Sequence, residues 1–154
     1  MHLVLNVFSR SVVVWLVAAR ESATLATSLL ETCCGREGIA RAALTVHADR
    51  GAAITSKAVA QLLVELGVAK SYSRPHISND NPYSGAQFRT IKCRSEFPER
   101  FGSLEDAWAC LVDLFRWYDA EHRHGGLGRH TRYDVHTGRA VTIQRARQNV
   151  LTDA

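Results

Sequence analysis

Asp49 is the residue best placed for metal or phosphate chemistry. It stands in Val46-His-Ala-Asp49-Arg-Gly51 at the end of a predicted strand, and Thr55-Ser-Lys57 opens the helix that follows. In open α/β sheets ligands gather beyond the C-terminal ends of strands. A carboxylate there, followed closely by glycine, suits a hard cation such as Mg²⁺, which is held through oxygen. An Asp-x-Gly after a strand is also common turn chemistry, so Asp49 alone leaves both readings open. The second candidate stretch is Ser73-Arg-Pro-His-Ile-Ser-Asn-Asp-Asn-Pro-Tyr-Ser-Gly85-Ala-Gln-Phe-Arg-Thr-Ile-Lys92, a polar loop running into a helix-like segment. Arg74, His76, Asn79 and Asn81 in that loop are candidates for phosphate or base contact, with plain turn formation as the other account. Arg89 and Lys92 lie one helical turn apart, as do Gly85 and Arg89.

The elements that position these residues follow from periodicity. His2 to Phe8 and Ser11 to Ala18 are β-branched and aromatic runs joined at Ser9-Arg10, which reads as an antiparallel hairpin. Val12, Val13, Val14 and Trp15 are continuous rather than alternating, so the second strand is expected to be buried on both faces. Apolar residues at 25, 26, 29, 30 and 33 predict a helix over Ser22 to Cys34, with Gly35 or Gly38 as the stop. Ala43 to His47 reads as a strand, Thr55 to Leu66 as a helix ended by Gly67, and Val68 to Ser73 as another strand. Helices are expected over Tyr83 to Arg94, Leu104 to His122 and Arg139 to Leu151. Asp80 falls just before the first of these, as a candidate cap or turn residue. Trp108, Phe115 and Trp117 read as core. The order is that of an α/β chain with a mixed sheet.

The chain has 154 residues, of which 46% are hydrophobic and 22% charged, which suits a folded domain with its own core. The formal net charge of +4 is a mild lean toward anionic partners. Its distribution says more: between Arg123 and Arg147 stand six arginines against one acid, Asp134, with His124, His130 and His136 among them. Such a segment fits phosphate contact, or else a solvated helix face. Cys33, Cys34, Cys93 and Cys110 form no C-x-x-C pair and read as small reduced thiols, which fits a cytoplasmic location. The apolar start, Leu3 to Ala19, is interrupted by Asn6, Ser9, Arg10 and Ser11, which argues against a signal peptide and a membrane span.

Taken in order, several segments form one pattern. They are Val7-Phe-Ser-Arg10, His47-Ala-Asp-Arg-Gly51, Thr55-Ser-Lys57, Ser73-Arg-Pro75, Asn79-Asp-Asn-Pro-Tyr83, Gln87-Phe-Arg-Thr-Ile-Lys92 and Trp117-Tyr-Asp-Ala-Glu-His-Arg-His124. The set resembles the integrase core of bacterial insertion-sequence transposases of the DDE type, a retroviral-integrase-like group, and extends from Leu3 to about Arg139. The resemblance implies an RNase H-like mixed sheet with flanking helices. It places a core-like domain over 1–138 and a basic helical tail over 139–154. It also implies metal-dependent DNA strand transfer by two Asp and one Glu that bind Mg²⁺ or Mn²⁺. Two cations clamp the attacking and leaving oxygens of such a displacement, which is why carboxylates are needed.

Carried over one by one, the acids are depleted. The middle Asp matches Asp49. The Glu position is Gly85, which follows Asp49 by 36 residues and offers no ligand. The first Asp belongs on a central strand ahead of the hairpin, and the chain begins inside that hairpin. The expectation is therefore a transposase-derived core without its first strand, inactive as it stands. Asp80 is an improbable substitute for the Glu. Arg74, His76, Asn79, Asn81, Arg89, Lys92, Arg123 and His124 are the expected DNA contacts. Glu121-His-Arg-His124 lacks zinc-ligand spacing and matches a family signature at a helix end. The other reading is a non-enzymatic module that binds DNA or pairs with itself or with full-length transposase.

Overall fold

The first two strands are short. In a computed structural model that describes residues 1–40, 42–74, 80–94 and 97–152, β1 (His2–Leu5) pairs with β2 (Val12–Leu16) across the turn 6–11. Val12, Val13 and Val14 are all buried, as their unbroken apolar run predicts. Helix α1 (Ala23–Glu37) begins at Ser22, whose hydroxyl accepts the Leu25 N–H, and ends at Gly38 with φ 59°. Glycine takes that left-handed conformation without the Cβ penalty.

A β-α-β unit follows. β3 (Thr45–Ala48), α2 (Lys57–Glu65) and β4 (Ala69–Tyr72) bring β3 and β4 together in parallel, with Val46 opposite Lys70 and His47 opposite Ser71. Ser56 caps α2, and Gly67 takes φ 66° just beyond it. Helix α3 (Pro82–Lys92) comes next, then α4 (Leu104–Ala120). The sequence reading missed the small elements between α4 and the last helix. β5 (Arg123–His124) pairs antiparallel with β6 (His130–Thr131) around a 3₁₀ turn, and α5 (Arg132–His136) precedes α6 (Ala140–Thr152).

The chain divides into two compact units. The first comprises Met1–Val4 and Val13–Trp108, the second Leu5–Val12 and Ala109–Ala154. In the first unit one cluster joins Leu30, Val59, Leu62, Leu63 and Val68, and another joins Val13, Val14, Leu29 and Cys33. Val4 packs against both. The β1–β2 pair and the β3–β4 pair are nonetheless separate sheets, and among the described residues no strand joins them. Trp108, expected in the core, is 57% exposed and only leans on Trp15 at 6.2 Å between ring centroids. The helical period leaves it at the edge of the apolar stripe that Ala107 and Leu111 bury. Of the thiols only Cys33 is buried, and burial pushes it up to about 11; Cys93 is exposed. The second unit is built on Leu111, Leu114, Phe115 and Tyr118 of α4, with His130, Thr131 and Arg132 buried beside them.

Candidate functional site

Asp49 follows directly on β3, and the parallel ladder sets its neighbours. Ser73 N–H donates to the Ala48 carbonyl at 3.1 Å, which carries the pairing one step past β4. Because strand side chains alternate, His47 and Asp49 share a side, as do Ser71 and Ser73. The buried Ser73 hydroxyl lies 2.8 Å from Asp49 Oδ1 and donates to it. The Ser73 oxygen also lies 3.3 Å from His47 Nε2, and His47 Nδ1 lies 2.8 Å from the Ser71 hydroxyl oxygen. Arg50 Nε donates to the Ser73 carbonyl at 3.2 Å and braces the same corner.

Asn81 links this corner to α3. Its side-chain oxygen accepts the Ser84 N–H at 3.4 Å as the helix cap, with Pro82 at the first helical position. Its amide nitrogen donates to Asp49 Oδ1, also at 3.4 Å. Gly85 N–H bonds back to the Asn81 carbonyl, so position 85 is one helical turn from the residue that touches Asp49. Gly85 is exposed, and a Cβ there would meet nothing within 4 Å. Neither space nor backbone strain requires glycine at this position. Arg89 and Lys92 are likewise exposed on α3. Gln87 is 1% exposed, and among the described residues neither atom of its amide has a hydrogen-bond partner.

Asp80 is committed elsewhere. It accepts from the Arg74 backbone N–H at 2.8 Å and from two guanidinium nitrogens at 2.9 Å each. Those bonds hold its carboxyl well below the usual carboxylate range. Asn81 rather than Asp80 caps α3, because the Asp80 oxygens are turned to Arg74. Arg74 is correspondingly paired rather than free for phosphate. His76 and Asn79 lie outside the described residues.

The basic segment splits into surface and interior. Arg123 is exposed and donates to the Arg129 carbonyl at 3.2 Å, and Arg147 donates to the carbonyls of Gly128 and Arg129. Arg132 is 1% exposed, lies over the Tyr118 ring at 3.5 Å and donates to the Tyr118 and His122 carbonyls. It is a structural cation, withdrawn from any phosphate. His124 is partly buried, and its pKa is lowered by burial first and then by the charges of Arg132 and Arg10.

Sequence reasoning missed Asp119. Both its oxygens accept the Val12 N–H at 3.2 Å, and it also accepts from the Ser11 hydroxyl. Burial pushes its carboxyl up to about 6 in spite of those bonds and of Arg132 and His136 nearby. The available signal was an acid four residues after Phe115, on the apolar stripe of α4.

Tested as a divalent-metal site, the Asp49 corner falls short. Asp49 Oδ1 already takes two hydrogen bonds, Gly85 has no side chain, and Asp80 is paired with Arg74. Mg²⁺ needs near-octahedral oxygen ligation, and one carboxylate does not supply it. Among the described residues no group of three or more His, Cys, Asp or Glu could hold a metal ion. No helix among them is long and apolar enough to cross a membrane.

Residues 1–78 match one family model described as an integrase core domain, and residues 66–131 match a second of the same description. A transposase for insertion sequence element IS904 from Lactococcus lactis is 27% identical over 127 residues, which is 80% of this chain and 49% of that protein. The chain thus spans about half the length of this curated relative. The crystal structure of the catalytic core of BIV integrase superposes with a TM-score of 0.66 at 19% identity, over 91% of this chain and 86% of that one. A chain of the cryo-EM structure of a simian T-cell lymphotropic virus intasome in complex with PP2A regulatory subunit B56 gamma gives 0.64 at 15%, over 86% of this chain and 46% of that one. The HTLV-2 integrase catalytic core, in complex with magnesium and in dimeric form, gives 0.53 at 16%, over 86% and 79%. At these identities the structures speak for the fold, which is that of retroviral integrase catalytic cores.

Proposed function

The chain belongs to the integrase core domain family, and we propose that it is a transposase-derived core that keeps DNA-contacting surface but performs no strand transfer by itself. The observation that carries this reading is position 85. It is an exposed glycine one turn beyond Asn81, the residue that touches Asp49, and it stands where the family pattern calls for the third acid. The neighbouring Asp80 is held by Arg74 and provides no substitute. With no carboxylate at position 85, binding of Mg²⁺ or Mn²⁺ is weak, and the two-cation clamp on a phosphodiester does not assemble. DNA contact rests on the exposed Arg89, Lys92 and Arg123, with His124 next to Arg123 in the chain and Asn81 at the Asp49 corner; His76 and Asn79 stay candidates from the sequence alone.

The test is a cleavage and strand-transfer assay with Mg²⁺ or Mn²⁺ on the chain and its Asp49→Asn variant, in which neither is expected to be active. Metal-dependent cleavage by the unaltered chain that Asp49→Asn abolishes would overturn the proposal.

A second reading is a pairing module that joins a full-length transposase or another copy of itself. It is favoured by the two separate strand pairs. Backbone groups at open strand edges invite a further strand. Co-purification with an intact relative, lost when proline replaces Val46 on β3, supports this reading, and failure to co-purify removes it.

A further inference from the structure

The turn 6–11 is built more firmly than a connection requires. Asn6 Oδ1 accepts the N–H groups of Phe8 and Ser9 at 3.0 and 2.9 Å, Asn6 O accepts the Arg10 N–H at 2.8 Å, and Asn6 N–H donates to Ser11 O at 2.9 Å. Arg10 sits at φ 63°, a left-handed conformation that is unfavourable for a side chain of its size. Its guanidinium donates to the Val7 carbonyl and closes the loop. Ser9 is 1% exposed and bonds His136 Nδ1 at 3.1 Å, while Asp119 holds Ser11 and Val12. The turn is thereby tied to α4 and α5 through the Ser9 and Ser11 hydroxyls and the Val12 N–H.

What the turn holds outward is apolar. Phe8 is 77% exposed and Val7 50%. A side chain displayed on a rigid turn loses little further entropy on docking. The patch is too small for a stable protein interface: a phenyl ring buries about 150–250 Å², against roughly 800 Å² per partner in such interfaces. One cation stands close by, since Arg10 is on the same turn, two residues from the ring. A single aromatic ring beside an arginine matches an unstacked nucleobase flanked by phosphates.

We infer that Phe8 is a base-stacking wedge, presented by the turn 6–11 to DNA whose phosphates Arg10 and the exposed Arg123 hold. The inference rests on the reading that this chain contacts DNA. Arg10 braces the turn through the Val7 carbonyl and offers its charge to the adjacent DNA backbone. The ring inserts best at a pyrimidine–purine step, where unstacking costs least.

The experiment uses the full chain and a duplex of about 20 base pairs with a central TA step that carries 2-aminopurine, with binding titrated against salt. Wild type and Phe8→Trp are expected to raise 2-aminopurine fluorescence, and Phe8→Ala to leave it unchanged. Phe8→Ala should bind roughly 5- to 100-fold more weakly, as loss of one stacked base implies, at an unchanged salt slope. Arg123→Ala should instead reduce that slope by about one. Phe8 is largely solvent-exposed, so alanine there leaves the fold intact. No DNA binding at low salt would remove the DNA reading and the wedge together. Salt-dependent binding with Phe8→Ala equal to wild type in affinity and fluorescence would remove the wedge alone. Conversion of a dimer to a monomer by Phe8→Ala, without the fluorescence change, would assign Phe8 to a protein interface and overturn the inference.

Discussion

Replacing Asp119 with asparagine isolates the effect of one buried acid on stability. Burial raises its pKa from an ordinary 3.8 to about 6, against the opposing pull of the Val12 N–H, the Ser11 hydroxyl, Arg132 and His136. The folded chain therefore keeps this proton to higher pH than the unfolded chain does. As pH rises from about 4 to 6 the unfolded state releases its proton first, so this group's contribution to stability falls across that window and levels off above it. A shift of about two units corresponds to roughly 3 kcal/mol, an upper figure for a side chain that retains some exposure. Asparagine keeps an oxygen for the Val12 N–H and does not titrate. Urea denaturation of both proteins at about pH 4 and pH 7.5 gives the difference directly, and it cancels Asp80, whose depressed pKa acts in the opposite sense. Asp119→Asn should gain up to about 3 kcal/mol on wild type between those two pH values. A difference independent of pH would refute the reasoning, because it would mean that Asp119 is ionised as readily in the folded chain as in the unfolded one.

Three other outcomes follow from single contacts. Arg132→Met should lower stability by about 3 kcal/mol in denaturant titrations, since it strips the Tyr118 and His122 carbonyls of a buried donor and leaves Asp119 without its cation. Asn81→Ala should lose about 1 kcal/mol with the cap of α3, read as a lower thermal midpoint. Gly85→Ala should raise the same midpoint by no more than about 1 kcal/mol in stability, because the site is helical and open; a fall would show that glycine there meets a constraint the geometry lacks.

Local pattern carried the family and much of the layout. The helix stops at Gly38 and Gly67 are legible because only glycine takes positive φ freely, and both do so here. Val12 to Val14 announce a buried strand by their unbroken apolar run. The depleted acid set is likewise a matter of residue identity: Asp49 can be a ligand and Gly85 cannot. Tertiary structure decided the partners. Asp80 and Asn81 are adjacent and chemically alike, and the sequence does not say that one meets Arg74 while the other caps α3 and reaches Asp49. Arg132 and Arg123 look interchangeable in a basic segment, yet packing against Tyr118 buries the first and leaves the second in solvent. Asp119 reads as one more helix acid until the turn 6–11 meets it from more than a hundred positions away in the chain. Such pairings depend on which surfaces the fold brings together, and a carboxylate's pKa follows from that company and from its burial rather than from its neighbours in sequence.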